Sequence, residues 1–425
     1  MSMEITHESK QLETGSAIRE TTVLIKLSED YVSLGNYDSA CSCLKEALFL
    51  GESDLEVYNR LGYVNYCQHE YHTALECYQM ALDICADDAE VIHNLGLLYL
   101  AITEYKIAEK YFLKAIEYPE TKLRAYSNLA KLALVSGNYL KGWEYYQYRI
   151  TSLDSENSLY RDITEKSILI YGDLNYWQEM FFLRFFPELL KVGAKKISYY
   201  ASEELQVLFR KGIDGVVILR SLPMDTQYDV ILSIVDLPGV ISKTQDLYFL
   251  EPFPLSPPSK QSVKVIRNML PNNGRQNIAV SWETQNPESN GLKIRVSPEI
   301  LGESLRNCDA NILVLQQNPS EKDIRLLEKG LRRKVFNYGF ISESVESTLA
   351  FLSEVDHYIS VGDHNIHLAA SLNKKVSVLV SHPPQWQWLM DVTKSPWFPG
   401  CNIHRQDISG SWERACQDLK TSLHE

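Results

Sequence analysis

The chain has 425 residues, enough for two or three domains, and is acidic, with 55 Asp and Glu against 42 Lys and Arg and a formal net charge of −13. That balance, with no lysine- or arginine-rich block, argues against nonspecific nucleic-acid binding, and the apolar runs are too short and too interrupted to span a bilayer. The polar start, Met1 to Ala17, lacks the apolar stretch of a signal peptide, so residues 1–20 are expected to be a disordered tail on a cytoplasmic protein.

From there a frame of 34 residues repeats. Tyr37, Tyr71, Tyr105 and Tyr139 mark it, followed by small residues at Ala40, Ala74, Ala108 and Gly142, then bulky ones at Leu44, Tyr78, Phe112 and Tyr146. An earlier pair gives Leu27-Ser28, Leu61-Gly62, Leu95-Gly96 and Leu129-Ala130; a second small position holds Ala47, Ala81 and Ala115 and then fails at Arg149. This is the period of the tetratricopeptide repeat, a helix–turn–helix unit that buries its apolar face only by stacking on its neighbours. Four repeats are predicted over 21–154, an α-solenoid of the kind that binds peptides and proteins. Eight cysteines, five of them in these helices, form no CxxC pair or zinc spacing. Free thiols in a reducing cytosol are expected, and no structural metal.

After a polar stretch, Ser152–Lys166, short β-branched runs alternate with amphipathic ones. Strands are predicted at 167–172, 196–200, 216–219 and 229–234, with helices at 178–190 and 203–211. The Pro-rich passage Glu251–Lys260 reads as a linker. A second series follows: strands at 277–282, 311–316, 334–338, 357–361 and 376–380, with helices at 298–306, 321–331, 344–352, 365–372 and 411–423. Alternating strands and helices imply parallel sheets covered on both faces. The chain is thus predicted as α plus α/β: the solenoid, then two Rossmann-type lobes over 155–255 and 256–425, with a ligand cleft at the carboxyl ends of the strands.

The motifs carry a resemblance. Ser360-Val-Gly-Asp-His-Asn-Ile-His367-Leu-Ala-Ala is similar to the nucleotide-sugar signature of heptosyltransferase-like glycosyltransferases, which reads strand, Asp-Thr, three residues, His-Leu-Ala. Trp386-Gln-Trp388-Leu, Ser395-Pro-Trp397-Phe-Pro399, Arg405-Gln406 and Gly137-Asn-Tyr-Leu-Lys-Gly142-Trp143 resemble a bacterial subset in which tetratricopeptide repeats precede such a domain. The resemblance implies a GT-B pair of lobes that binds a nucleotide-sugar donor, works without metal and has no permanently bound cofactor. It implies donor contacts from Arg295, Asp363, His364, Asn365 and His367, with phosphate charge met by a helix N-terminus, His367 and Arg295; Ser281 and Trp282, which end the first strand of the second lobe, are donor candidates by that position. Asn94 and Asn128 share one repeat position, which looks like the asparagine ladder of O-linked N-acetylglucosamine transferases; with Asn59 they are the candidate acceptor-binding residues for a protein or peptide in the repeat groove, a flagellin or surface protein by resemblance.

The sequence also departs from that pattern. Asn175-Tyr176-Trp177-Gln178 stands where the family has Gly-Leu-Gly-Asp, so both glycines are absent and glutamine, which accepts no proton at neutral pH, replaces the acidic base. Asp173 is the nearest carboxylate and the candidate catalytic base. The signature's carboxylate has moved one position, giving Gly362-Asp363. Two functions follow: a cytoplasmic glycosyltransferase acting on a protein recruited by the repeats, or a catalytically degenerate relative that serves as an adaptor.

Overall fold

The computed structural model describes residues 20–50, 55–149, 162–172, 176–209, 212–222, 228–241, 250–285, 293–390 and 392–423. They fall into two compact units, divided between Leu132 and Ala133.

The first unit is helical: α1 (20–33), α2 (Tyr37–Phe49), α3 (Leu55–Cys67), α4 (Tyr71–Ile84), α5 (Ala89–Ala101), α6 (Tyr105–Ala115) and most of α7 (Pro119–Val135). Its packing explains the repeat. The small residues Ala40, Ala74 and Ala108 are fully buried. A Cβ on Gly62 would lie 2.5 Å from the ring of Tyr78, and one on Gly96 would lie 2.5 Å from Phe112. Tyr78 and Phe112 therefore each rest on the small residue of the preceding helix. The turn inside each pair recurs with the same period. Gly35, His69, Thr103 and Gly137 all adopt positive φ (71°, 62°, 66° and 78°), a conformation glycine takes freely and Thr103 takes under strain. Asn36 and Asp88 cap the helices that follow, accepting from Ser39 N at 3.2 Å and Val91 N at 2.9 Å.

The second unit opens with the end of α7 and with α8 (Tyr139–Tyr146), then builds two parallel sheets. The first lobe runs β1 (Ser167–Tyr171), α9 (Tyr176–Phe182), α10 (Phe186–Lys191), β2 (Lys196–Tyr200), α11 (Glu203–Gln206), β3 (Val216–Leu219), β4 (Val230–Ser233) and α12 (Leu237–Ile241), with strand order β3-β2-β1-β4. The single helix expected over 178–190 is divided by a 3₁₀ turn, Leu183–Phe185, just before Pro187, whose ring cannot sit inside a regular helix. Residues 250–259 have no regular structure, as the prolines dictate; Ser259 then caps α13 (Lys260–Met269), accepting from Ser262 N at 3.0 Å.

The second lobe contains β5 (Gln276–Val280), the antiparallel pair β6 (Glu283–Gln285) and β7 (Lys293–Arg295), α14 (Pro298–Leu305), β8 (Ala310–Val314), α15 (Glu321–Leu331), β9 (Phe336–Asn337), α16 (Val345–Glu354), β10 (His357–Ser360), α17 (Asn365–Ser371), β11 (Lys375–Val380), β12 (Cys401–Arg405) and α18 (Glu413–Ser422). Its sheet order is β12-β11-β10-β5-β8-β9, parallel throughout. The ribbon β6–β7, strand β12 and helices α12 and α13 were not expected from the sequence.

Alternate residues feed two cores. Ile278, Val280, Ile312, Val314, Ile359 and Leu379 pack under α14, α15 and α18. Ala279, Leu313, Tyr358, Val376 and Val378 join a larger cluster that continues through α16, α17, Trp386, Trp388 and Trp397 into Phe181, Phe186, Ile170 and Tyr199 of the first lobe. The two lobes thus share one apolar interior. Among the described residues, no helix is long and apolar enough to cross a membrane. The eight cysteines are free thiols.

Candidate functional site

In both sheets the chain lays strands outward on one side of the first strand and then returns to the other side. In the second lobe β5, β8 and β9 run one way, and β10, β11 and β12 the other, so the order reverses between β5 and β10. Open parallel sheets take ligands beside such a reversal, at the carboxyl ends of the strands.

Ser281 follows β5 and Asp363 follows β10, and they meet there. Ser281 Oγ donates to Asp363 Oδ2 at 2.6 Å, Tyr358 OH donates to the same oxygen at 2.5 Å, and Asn365 N donates to Oδ1 at 3.0 Å. Asn365 Nδ2 approaches Tyr358 OH at 3.5 Å. Burial, then the Asp363 charge, pushes the Tyr358 phenol well above its ordinary range, so it stays protonated and donates. Strain-free access for Asp363 comes from Gly362, at φ 85°. Tyr358 was absent from the sequence candidates. Its only signal was a tyrosine at an inward position of a short strand.

The start of α17 is not the open cradle of N–H groups that the motif suggested. Asn365 N is taken by the Asp363 carboxylate, Ile366 N by the Asp363 carbonyl at 3.3 Å and His367 N by the His364 carbonyl at 3.2 Å. A carboxylate in that place stabilises the helix end and opposes a second anion.

The remaining donor candidates separate. Trp282 buries its ring in the core beneath α14, while its backbone N–H donates to Gln316 Oε1 at 3.0 Å. Arg295 is held by Glu283 and by Asp323, the latter at 2.5 Å. Burial works against its charge, but the two carboxylates outweigh it and raise the guanidinium above its usual value. His364 is half-buried, its ring edge-on to Tyr176 of the first lobe at 6.0 Å. His367 lies edge-on to Phe398 at 5.2 Å and Phe181 at 6.3 Å, and burial, then Arg184, then His364, pull it down to about 3. Asp173, the candidate base, lies outside the described residues. Gln178 sits one position before a carboxylate that the sequence did not single out: Glu179, fully buried, accepts from Tyr199 OH at 2.5 Å. It fills the space where a Cβ on Gly172 would stand, at the carboxyl end of β1.

Between the lobes the aromatic residues named in the motifs are core. Trp386, Trp388 and Trp397 are buried. Trp386 meets Phe181 at 4.7 Å and Trp143 at 5.4 Å; Trp397 meets Tyr139 at 5.0 Å. Arg184 sits among them, donating through Nε to Phe181 O at 2.9 Å and through Nη1 to Leu250 O at 3.1 Å and Trp397 O at 2.6 Å. Burial draws its guanidinium down to about 9, which leaves it charged at neutral pH.

In the helical unit, Asn94 Nδ2 donates to Asn59 Oδ1 at 2.9 Å, and Asn128 Nδ2 lies 2.9 Å from His93 Nε2. Asn94 and Asn128 thus make equivalent bonds one repeat apart, to Asn59 and to His93. Burial and Arg124 draw His93 down to about 4, so its ring is neutral and Nε2 accepts the amide proton.

A family model for the tetratricopeptide repeat matches residues 53–120. The helical half carries tetratricopeptide repeats. Among solved structures, MamA is 23% identical, over 34% of this chain and 90% of that one, with a TM-score of 0.27. PilF of Pseudomonas aeruginosa is 26% identical, over 32% of this chain and 61% of its own, with a TM-score of 0.29. A glycosyl transferase family 9 structure from Veillonella parvula DSM 2008 is 10% identical, over 63% of this chain and 99% of that one, with a TM-score of 0.44. No curated protein matches the sequence.

Proposed function

We propose that this tetratricopeptide-repeat protein is a cytoplasmic glycosyltransferase that takes a nucleotide sugar at the strand reversal of its second sheet and transfers the sugar to a polypeptide bound by the repeats. What supports the reading most is convergence. Asp363, His364 and Asn365, named from a nucleotide-sugar signature, and Ser281, named from the end of its strand, stand around the reversal between β5 and β10, where sheets of this kind take their ligands. In this reading Asp363 and Ser281 orient hydroxyl groups of the donor, and the neutral His367 contributes hydrogen bonds. Transfer needs no metal, and the base that activates the acceptor comes from the first lobe.

A second reading has a specific observation behind it. The N–H groups of α17 and the guanidinium of Arg295 are already engaged by the protein's own oxygens, and Gln178 replaces the acid of the family loop. A relative that has lost turnover and acts as an adaptor would show these features. Calorimetric titration of the full chain with a panel of nucleoside diphosphates and nucleotide sugars separates the two. Binding by one member, weakened about tenfold or more in Asp363→Asn, is the result expected of a donor site. Heat from none of the panel overturns the transfer reading and leaves the adaptor.

A further inference from the structure

Arg184 is a buried cation whose hydrogen-bond partners, among the described residues, are main-chain carbonyls and no carboxylate. Those carbonyls come from three segments: its own helix turn, Leu250 just before the proline-rich passage, and the Ser395–Phe398 loop. Its guanidinium lies 4.2 Å from the ring of Phe181 and 5.0 Å from that of Phe398. His367 lies against the same two rings. Guanidinium and imidazole therefore share one aromatic enclosure, the first supplied by the first lobe and the second by α17 beside the strand reversal.

We propose that Arg184 is a positioning residue for the site: acting on His367 across the shared enclosure, it holds that imidazole uncharged, so that the site offers its ligand a neutral hydrogen-bonding ring and not an imidazolium. This deepens the donor-site reading and rests on it for its functional meaning. Two unlike forces agree. The enclosure excludes the water that an imidazolium needs, and a permanent positive charge in the same enclosure repels a second one. The other groups around α17 do not offset this. His364, one turn earlier, also opposes the charge. On α9, Tyr176 faces His364 and Glu179 is bonded to Tyr199. On α16, Glu346 accepts from Ser262 and Glu354 from Arg267. On β10, Tyr358 donates to Asp363 and His357 is bonded to Ser377; Lys375 of β11 acts on His357, and Cys401 of β12 lies near Arg184.

The test is histidine ring NMR on the full chain, with the His367 signal assigned by His367→Gln, from about pH 4.5 to 8.5, a window in which an ordinary imidazole titrates in full. The wild-type signal is expected to stay flat. In Arg184→Gln it is expected to begin to move at the acid end of that window, its midpoint raised by about one pH unit or more, while Arg184→Lys, which keeps the charge, stays flatter. Should Arg184→Gln fail to fold, Phe398→Leu opens the enclosure from the other side and is expected to raise the midpoint as well. A wild-type His367 that titrates near 6.5, or one that stays flat in a folded Arg184→Gln, overturns the proposal. Calorimetry with nucleotides fails separately: no binding with a flat His367 strikes down the donor site alone, and binding with a titrating His367 strikes down the role of Arg184 alone.

Discussion

Single residues already separate strain from function. Thr103 occupies the turn position that Gly35 and Gly137 fill elsewhere in the frame, at φ 66° with a β-branched side chain. Left-handed backbone costs a non-glycine residue on the order of 1 kcal/mol or more, and glycine returns part of that through a looser unfolded chain. Thr103→Gly is therefore expected to stabilise the helical unit by about 0.5–1 kcal/mol in urea denaturation; a loss of stability would mean the threonine has a contact that outweighs its strain. A second residue-scale expectation concerns acid. His357, bonded to Ser377 Oγ at 3.0 Å, is pulled down to about 3, by burial first and then by Lys375 and His404. The unfolded chain takes up that proton near pH 6.5 and the folded chain refuses it until far lower. Stability is thus intact above pH 6.5 and is lost as the pH falls toward about 3. His357→Gln, which keeps a hydrogen bond to Ser377, should make that acid loss shallower; an unchanged slope between pH 6.5 and 4 would refute it.

At the scale of elements, α14 and α15 touch through Gly302 and Gly330, where added Cβ atoms would collide with the carbonyls of Leu327 and Glu299. The neighbours are backbone and cannot swing aside. Gly330→Ala is expected to lose about 1–3 kcal/mol, the usual penalty for overpacking, with the second-lobe signals most affected in hydrogen exchange. These glycines show what the sequence could and could not disclose. The repeats were legible because Gly62 and Gly96 recur in step with Tyr78 and Phe112. The central strands were legible because β-branched runs are buried on both faces. The ribbon β6–β7 and strand β12 were not, since Glu283-Thr-Gln and Cys401-Asn-Ile-His carry neither a long apolar run nor clean alternation. At the site, Asp363 came from a motif and Ser281 from its place at the end of a strand. Tyr358 came from neither, because its bond to Ser281 spans 77 residues and a chain read locally contains no sign of it.

Over the whole molecule, the deciding feature is an apolar interior that passes from the first lobe into the second. Lobes that share a core cannot melt independently. Trp397, fully buried against Tyr139, Phe181 and Trp386, stands at the junction. Trp397→Ala is expected to cost about 3–5 kcal/mol and to lower one calorimetric transition common to both lobes. Two separate transitions for the lobes, with only one moved, would contradict a shared core. The same continuity sets Phe181 of α9 in the first lobe against His367 of α17 in the second.

The proline-rich passage at 251–259 looks like the natural place to cut this chain for separate expression of its halves. The carbonyl of Leu250 and that of Trp397 both point at one guanidinium carried by Arg184. A fragment that stops before the passage keeps the cation and forfeits the Trp397 acceptor; a fragment that begins after it exposes a tryptophan-lined scar with bare main-chain oxygen. Dissection at that point is expected to yield two sticky, poorly folded pieces, whereas keeping residues 133–423 together preserves every partner of the arginine.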